Sequence, residues 1–426
     1  MENNTPSSQM LTGTTALVVG GGLIGLCVAL RLQEKGAAVT LLEPQQTPRG
    51  ASWGNAGHIA TEQVQPLASP DTIRSAWSRL HPRGALALPA GQIRTWGPFA
   101  LRLVRASTPR RFAAGTAALS SLLAEAMPAW ARLTASAGAG SLLRQDGHFV
   151  AWESEASARQ GRAFWLGTDI GSARVRDAMP DELEAIRDLA RGGQIAAAVR
   201  FAGSGQIGDL GALADALRAR LAALGGMIRH AAADAITIDG DTASVRCDGQ
   251  MLQADQIVLC AGAASGELLR PTGVRIPLIA ERGYHIQSPA SRWPHNMPPV
   301  AFEDRSMIVT RFAGGLRAAS FVEFAARTAP PDPAKWDKLR RHVTELGLPF
   351  DLPGEPWMGA RPTLPDYLPA IGRSQRARNL LYAFGHQHLG MTLAAVTGEA
   401  IAALACRTRP AIDLAPFDAA RFGETI

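Results

Sequence analysis

Three glycines near the start of the chain stand in a G-x-G-x-x-G pattern, at Gly20, Gly22 and Gly25. They follow the apolar run Thr15–Val19, and a second apolar run ends on Glu43. In such a pattern the first glycine permits a tight turn, the second lets the backbone approach a pyrophosphate, and the third lets a helix pack on the strand. The helix start then binds phosphate oxygens, and the acid accepts a hydrogen bond from a ribose 2′-OH. This predicts dinucleotide binding without separating FAD from NAD.

The elements that position these residues follow a strand–helix–strand order. We predict a strand at 15–19, an amphipathic helix at 23–35 and a second strand at 38–43. Further along, residues 257–260 are continuously apolar, as in a strand buried on both faces of a parallel sheet. The predicted fold class is α/β, with a Rossmann-like nucleotide-binding domain.

A second pattern interrupts the nucleotide-binding sequence. Alternating apolar residues at 307–310 and 316–321 predict an antiparallel sheet, and a helix is predicted at 333–346. We therefore expect an inserted α+β substrate domain built on an antiparallel sheet. The expected nucleotide-binding domain comprises 14–62, 190–275 and 355–410, and the expected substrate domain comprises 63–189 and 276–354.

The segment 62–112 is rich in Pro, Arg and Trp and is expected to be irregular. Within it, residues 93–105 combine aromatic, aliphatic and arginine side chains, as a segment lying in a membrane interface does. The alternative is a helix packed on the inserted domain, and Gly97-Pro98 is expected to break a helix there.

Composition excludes several classes of protein. The 426 residues are 46% hydrophobic and carry a net charge of +6, with 40 arginines and three lysines among the 43 basic residues. The arginines are scattered and accompany no nucleic-acid-binding motif, so no nucleic-acid partner is expected. No apolar run reaches the roughly 18 residues of a membrane span, and residues 1–13 lack the basic region of a signal peptide. A cytoplasmic protein is expected.

Neither cysteines nor histidines form a metal-binding motif in the sequence. The four cysteines are far apart, with no C-x-x-C, and the nine histidines include no H-E-x-x-H. Cys27 and Cys260 are expected to be buried thiols. No metal is expected.

Four stretches together resemble the FAD-dependent D-amino-acid dehydrogenase/oxidase family, with the closest likeness to its bacterial dehydrogenases. They are the N-terminal motif, residues 51–57 (ASWGNAG), residues 254–265 (ADQIVLCAGAAS) and residues 357–373 (WMGARPTLPDYLPAIGR) with their continuation 379–393 (NLLYAFGHQHLGMTL). The resemblance covers nearly the whole chain in the family's order. It implies FAD as the cofactor and a glutathione-reductase-type FAD-binding domain.

The same stretches supply the cofactor-binding residues that the resemblance implies. These are Gly20, Gly22, Leu23, Ile24, Gly25, Glu43 and Pro44; Ser52, Asn55, Ala56 and Gly57; Ala261 and Gly262; and Arg361, Gly385, His388, Leu389, Gly390, Met391 and Thr392. The last loop opens a helix, and a helix N-terminus stabilises negative charge on a reduced flavin. Gln387 stands in this loop where relatives usually carry a small residue, so the accepted substrate size is expected to differ.

Four residues are predicted to meet the substrate. Tyr284 lies in a stretch that resembles the family strand whose tyrosine faces the substrate. Arg311 matches the position that binds the substrate carboxylate in glycine-oxidase-like relatives, where the guanidinium fork grips both oxygens; Arg317 is the alternative. His58 and His386 belong to loops that approach the flavin in relatives and are pocket candidates.

The implied reaction is oxidation of a small or cyclic D-amino acid, for example D-proline or cis-4-hydroxy-D-proline. Hydride transfer from Cα to flavin N5 gives an imine, or a 2-oxo acid after hydrolysis. Two alternatives stay open: an oxygen-using amine oxidase like sarcosine or glycine oxidase, and the flavin subunit of a larger electron-transfer complex. The expected partners are the amino acid and an electron acceptor, a quinone or another. Peripheral contact with the inner face of the membrane would suit a quinone.

Overall fold

The computed structural model describes residues 10–46, 50–82, 84–289, 292–423 and 426. The first nine residues, part of the segment expected to lack a signal peptide, lie outside the described residues. The strands are β1 Thr15–Val19, β2 Ala38–Leu42, β3 His58–Ile59, β4 Leu86–Ala87, β5 Leu143–Arg144, β6 His148–Trp152, β7 Arg174–Asp177, β8 Ala197–Ala202, β9 Gly205–Ile207, β10 Met227–Arg229, β11 Ala233–Asp239, β12 Thr242–Cys247, β13 Gln250–Leu252, β14 Gln256–Leu259, β15 Ile279–Ser288, β16 Val300–Phe302, β17 Met307–Phe312, β18 Gly315–Ala325, β19 Glu355–Thr363, β20 Ala370–Arg373 and β21 Leu380–Phe384. The helices are α1 Leu23–Glu34, α2 Pro70–Ser75, α3 Ile93–Ala106, α4 Pro109–Ala124, α5 Ala126–Ser136, α6 Glu155–Gly167, α7 Pro180–Leu189, α8 Leu210–Ala223, α9 Ser265–Leu269, α10 Pro333–Glu345 and α11 Gly390–Ala405.

A six-stranded sheet has the order β10-β2-β1-β14-β21-β20. Its first five strands are parallel and β20 is antiparallel. Successive side chains of β1 enter two cores: Val18 packs with the helices α1, α8 and α11, and Leu17 packs against the small sheet β11-β12-β13. The carboxyl ends of parallel strands meet at one edge, so the loops after β1, β2, β14 and β21 converge there.

The second large sheet has nine strands. Its order is β19-β15-β18-β17-β16-β6-β8-β7, with β4 paired to β18. Most pairs are antiparallel; β16 with β6 and β18 with β4 are parallel. Helices α7 and α10 cover an apolar face, where Ile186, Leu339 and Val343 pack against strand residues such as Val309. The predicted fold class, a Rossmann-like domain with an α+β domain on an antiparallel sheet, is confirmed.

Two strands pair differently from the expected domain ranges. β8 pairs with β6, and β19 pairs with β15, so both belong to the nine-stranded sheet. The expected ranges 190–275 and 355–410 had placed them with the nucleotide-binding sequence. We propose the two-domain division with β8 and β19 moved to the substrate domain, because backbone pairing ties them to it.

Residues 62–112 are more regular than expected. They form α2, β4 and α3, and α3 continues through Gly97-Pro98. The expectation of a break was wrong, because Pro98 removes only one N–H from the ladder near the helix start. The inner face of α3 buries Phe99, Leu103 and Ala106 in a local apolar cluster, which holds the helix together.

In the described part of the chain, one helical stretch, Gln387–Ala405, is apolar and long enough to cross a membrane, with a mean hydropathy of 1.3. Of its most apolar 18-residue window, 72% is buried inside the fold. It contains α11, which packs closely on α1 where Gly398 meets Cys27. The stretch therefore forms part of the core that supports the nucleotide-binding edge.

Candidate active site

A cavity of about 1610 Å³ lies at the carboxyl edge of the six-stranded sheet and extends along the nine-stranded sheet. Its lining comes from the loops after β1, β2, β14 and β21 and from strands β15, β17, β18 and β19. Ligand pockets are usually about 300–1,000 Å³, so this cavity has room for a large cofactor and a substrate together.

The glycine-rich turn forms one end of the cavity. Gly20 has φ +106°, and Gly25 allows α1 to approach β1 so closely that a Cβ there would lie 1.8 Å from the Gly20 carbonyl oxygen. Gly22 instead faces open space: only the Ser52 hydroxyl oxygen would lie within 4 Å of its Cβ, at 3.3 Å. A side chain at Gly22 would therefore enter the cavity where the helix N-terminus points.

Glu43 and Ser52 complete this end. Glu43 Oε2 accepts a hydrogen bond from the Gly21 N–H at 2.8 Å, and the Ser52 hydroxyl accepts one from the Leu23 N–H at 3.0 Å. Both side chains line the cavity. The open cradle at Gly22, the helix N-terminus and the carboxylate on the next strand fit the pyrophosphate and ribose of FAD.

The 51–57 loop is held in one conformation. The Asn55 side chain bridges the Ser52 carbonyl and the Gly57 N–H. Buried Arg317 donates to the carbonyls of Trp53 and Asn55, and its Nε donates to Gln287 Oε1 at 3.0 Å. Arg317, the alternative carboxylate ligand, therefore positions this loop and does not line the cavity.

The C-terminal loop forms the opposite wall. His386 Nε2 lies 3.0 Å from the Thr397 hydroxyl, and His388 Nε2 lies 2.7 Å from Gln63 Oε1. Burial lowers the pKa of His386 to about 3 and, as the largest cause, that of His388 to about 4. Both imidazoles line the cavity and are neutral at pH 7.

The structure brings most of the predicted site residues to this cavity. Those lining it are Gly20, Gly22, Ile24, Glu43, Pro44, Ser52, Asn55, Ala56, His58, Ala261, Gly262, Tyr284, Arg361, His386, His388, Gly390 and Met391. Those that do not line it are Leu23, Gly25, Gly57, Arg311, Gly385, Leu389 and Thr392. Several of these shape the walls from behind: the Thr392 hydroxyl accepts the Ala60 N–H at 2.9 Å, and Gly57 packs against Phe312.

Arg311 is the main departure from the predicted site. Arg311 does not line the cavity. Successive strand residues point to opposite faces, so Arg311 shares the face of Val309, which packs with residues of α7 and α10, and its Nη2 is 3.5 Å from His295 Nε2. The expectation that Arg311 binds the substrate carboxylate therefore needs correcting.

Arg361 presents a guanidinium to the cavity instead. Its Nη1 donates to Glu281 Oε1 at 3.2 Å and to the Phe321 carbonyl at 3.1 Å. Among the described residues, its Nε and Nη2 donate to no partner. A Cβ at Gly283 would lie 2.2 Å from Nη2, so the guanidinium lies directly over that glycine. One edge of the fork is anchored and the other remains available to a ligand.

Behind the cavity wall that contains Tyr284, the buried Glu323 carboxylate accepts hydrogen bonds from three buried side chains. Arg282 Nη2 donates to it at 2.6 Å, Lys335 Nζ donates at 3.0 Å, and the Tyr284 hydroxyl also donates to it. The Tyr284 hydroxyl further accepts the Asp332 N–H at 3.2 Å. Burial, and then the bond to Glu323, raises the pKa of Tyr284, which keeps the phenol protonated. The ring of Tyr284 lines the cavity while its hydroxyl is held in this network.

Three side chains that could bind a metal ion lie close together beside the cavity. The sequence did not predict this cluster. His58, Glu62 and His148 place one ligand atom each within 4.8 Å of one another. His58 and Glu62 are four residues apart in the sequence, but His148 comes from β6, so spacing along the chain gave no sign of it.

The fold and this site define a class: a dinucleotide-binding protein whose cavity extends along a second, mostly antiparallel sheet. A family model described as FAD dependent oxidoreductase (DAO) matches residues 15–404, and the chain belongs to that family. This match confirms FAD as the cofactor. The relatives reported next confirm the D-amino-acid dehydrogenase/oxidase resemblance and an oxidoreductase activity on amino acids.

Proteins similar to this chain match it over nearly its whole length. The D-amino-acid oxidase of Bradyrhizobium diazoefficiens is 31% identical over 425 residues, covering 97% of this chain and 100% of that protein. The D-amino acid dehydrogenase 2 of Pseudomonas aeruginosa is 31% identical over 423 residues, covering 93% and 96%. The glycine oxidase structure from Geobacillus kaustophilus, 22% identical, has a TM-score of 0.68 over 96% and 99% of the two chains, which supports the fold.

Proposed function

We propose that the protein oxidises the Cα–N bond of a small or cyclic D-amino acid, such as D-proline or cis-4-hydroxy-D-proline. The single observation that carries this proposal is the guanidinium of Arg361 in the cavity, anchored on one edge and open on the other. An arginine fork binds both oxygens of a carboxylate and so fixes the neighbouring Cα. Glu281, which is fully buried, keeps the fork in this orientation.

The residues that line the cavity near Arg361 favour a substrate with a compact side chain. Tyr284, Trp357, Met358 and Tyr367 line this part of the cavity. Trp357 is fixed because it stacks on His285, with ring centroids 4.8 Å apart. Aromatic and thioether walls favour an aliphatic or ring side chain, which buries its apolar surface against them.

The residues of this chain position the reactants. FAD, when bound, supplies the hydride acceptor that the polypeptide lacks. Arg361 holds the carboxylate, and the buried walls exclude water from Cα. The neutral imidazoles of His386 and His388 add no positive charge near the substrate nitrogen, which suits binding of the neutral amine. The product is an imine, which hydrolyses to a 2-oxo acid when acyclic.

The electron acceptor is a further part of the proposal. Leu103 and Val104 of α3 and nearby Trp77 line the cavity, while Trp77 and Val104 are also exposed. An apolar acceptor such as a quinone could therefore reach the cavity beside α3. We place the protein in the cytoplasm, with α3 meeting the inner face of the membrane.

The test compares Arg361→Met and Arg361→Lys with the matched control Arg311→Met, using a dye acceptor and a panel of D- and L-amino acids. Losing a buried charge-assisted pair costs about 2–5 kcal/mol, which is roughly 30- to 5,000-fold in kcat/KM. We expect that loss in Arg361→Met and a partial rescue in Arg361→Lys, with FAD still bound. Arg311→Met should leave kcat/KM close to that of the parent protein, because Arg311 does not line the cavity.

Activity on L- but not D-amino acids would contradict the D-specificity. A large loss in Arg311→Met with none in Arg361→Met would return the carboxylate site to Arg311. Comparing oxygen with the dye as acceptor separates a dehydrogenase from an oxygen-using amine oxidase. Turnover by the purified single chain excludes the need for a partner subunit.

A further inference from the structure

His58, Glu62 and His148 form a buried cluster at the side of the cavity. His58 Nε2 lies 3.2 Å from Glu62 Oε1, and His148 Nε2 lies 3.8 Å from the same oxygen. The three side chains are 9%, 2% and 5% exposed. Three potential ligands therefore point at one small volume from two different sheets.

The outer nitrogens of both imidazoles have their own partners. His58 Nδ1 lies 3.2 Å from the Gly205 carbonyl oxygen, which can only accept, so Nδ1 carries the proton. The Nε2 of a neutral His58 then turns a lone pair toward Glu62. His148 Nδ1 lies 2.9 Å from the Ser204 hydroxyl, which can hold this ring in the same tautomer. Imidazoles that ligate metals commonly donate their other N–H in this way.

Two further polar groups nearby lack partners among the described residues. Glu62 Oε2 is buried without a hydrogen bond, and so are both polar atoms of the Gln206 side chain. Gln206 lies directly opposite His58 in the β3–β9 register, so the two side chains share a face. Buried polar atoms are nearly always satisfied in folded proteins, so these atoms are available to a further polar partner at the cluster.

We propose that His58, Glu62 and His148 bind a divalent transition-metal ion, with Zn²⁺ as the ion that the ligand set fits best. Two imidazoles and one carboxylate are a common zinc ligand set, with bonds of about 2.0–2.2 Å. Tetrahedral ligand atoms are then about 3.3–3.6 Å apart, and the distances of 3.2 and 3.8 Å straddle that range. The amide oxygen of Gln206 or a water would fill the fourth position.

The ion would link the small three-stranded sheet β3-β9-β5 to the nine-stranded sheet. His58 belongs to β3 of the first sheet, and His148 belongs to β6 of the second. His58 also lines the cavity, which gives the ion a path of entry. The expected consequence is a firmer cavity wall and a higher thermal midpoint. This inference rests on the cluster alone and is independent of the proposed substrate.

The experiment uses the FAD-loaded protein, stripped of metal with a chelator and then titrated with Zn²⁺. We expect about one zinc per chain by elemental analysis after gel filtration, and a thermal midpoint that rises with zinc. Zinc-edge absorption should show nitrogen and oxygen ligands at about 2.0–2.2 Å, including two imidazoles. Glu62→Gln and His148→Asn should weaken binding at least 100-fold, while the exposed control His295→Asn should leave it unchanged. Ser204→Ala should weaken binding about 10- to 100-fold through the orientation of His148.

Parent protein that binds no zinc overturns the proposal, and means that a proton occupies the space between the lone pairs. Equal zinc content in the parent and in Glu62→Gln or His148→Asn overturns it as well. If one of those variants fails to fold, the stoichiometry and absorption spectrum of the parent protein still decide.

Discussion

Gln387 is the residue that gives the C-terminal loop its individual shape. It has φ +47°, in the left-handed region, and its Nε2 donates to the Tyr367 carbonyl. Gln387 lines the cavity, and its Oε1 is buried with no partner among the described residues. A left-handed backbone conformation costs energy at a non-glycine residue, so the packed Gln387 side chain holds this part of the cavity wall in a fixed shape.

We expect Gln387→Ala to widen the range of side chains that the enzyme accepts. Removing the amide opens space for one or two methylenes, and pocket differences of that size are worth roughly 10- to 200-fold. The kcat/KM for D-amino acids with longer side chains should rise by about that ratio relative to D-proline. Steady-state kinetics on a D-amino-acid series, with the exposed Gln375→Ala as control, measure it. An unchanged order of preference would show that Gln387 does not limit substrate size.

At the scale of elements, different glycines of the turn from β1 into α1 serve the fold and the binding of the cofactor. Gly25 and Gly20 are needed for the helix and strand to meet, whereas a Cβ at Gly22 meets only the Ser52 hydroxyl. Gly22 is therefore the position of this turn at which a side chain fits the fold and still occupies the space of a ligand.

Gly22→Val should fold but retain little FAD, because its side chain would fill the space of the pyrophosphate. Absorbance of the purified protein measures the flavin, and circular dichroism checks the fold. Gly140→Val, at an exposed site with open space around it, is the control and should keep about one FAD per chain. Normal FAD content in Gly22→Val would refute the placement of the cofactor.

In the parent protein FAD should leave on denaturation, since no flavin-linking Cys or His motif is evident in the sequence.

Helix α3 presents an unusual outer face. Ile93, Leu101 and Val104 are more than half exposed, and Arg94 and Arg102 are exposed beside them. A helix with an apolar face and flanking arginines can lie in the interface of an anionic membrane. Since Pro98 does not break α3, this face is continuous.

We expect the parent protein to float with anionic vesicles at low salt and to release them at high salt. Leu101→Glu combined with Val104→Glu should abolish flotation, since a charge cannot enter the apolar layer. Leu166→Glu, a similarly exposed leucine on α6, is the control and should float normally. Parent protein that remains at the bottom of the gradient would rule out membrane contact.

At the scale of the whole molecule, buried histidines make the fold sensitive to acid. Burial, the largest cause in each case, lowers the pKa of His285 and His386 to about 3 and that of His388 to about 4. An unfolded histidine titrates near 6.5, so below that pH the unfolded chain binds more protons than the folded one. The free energy of unfolding must therefore fall as the pH drops from about 6.5 towards 4.

Each such histidine contributes up to about 1.4 kcal/mol per pH unit to that loss. Thermal or urea unfolding of the FAD-loaded protein at pH 7, 6 and 5 measures it, with FAD held in excess. His386→Asn should reduce the slope of stability against pH between 6.5 and 4, and the exposed His295→Asn should not. Stability that is constant from pH 7 to 5 would contradict this account.

The sequence by itself determined the cofactor-binding half of this protein. The glycines of the β1–α1 turn, Glu43 and the apolar strand 257–260 are local signals, since each works through neighbours a few residues away. Their order predicted the α/β fold class, and the resemblance of four stretches to a known family implied FAD. Local signals survive folding because turn geometry and strand alternation are set by adjacent residues.

Only the tertiary structure decided the substrate side and the long-range contacts. Arg311 and Arg361 were both visible as arginines, but register and strand face decide which of them reaches the cavity. His148 meets His58 and Glu62 because β6 joins a sheet that packs beside β3. Tertiary packing also keeps α3 continuous at Pro98. Such juxtapositions depend on how whole elements pair and pack, and residue spacing along the chain does not encode those distances.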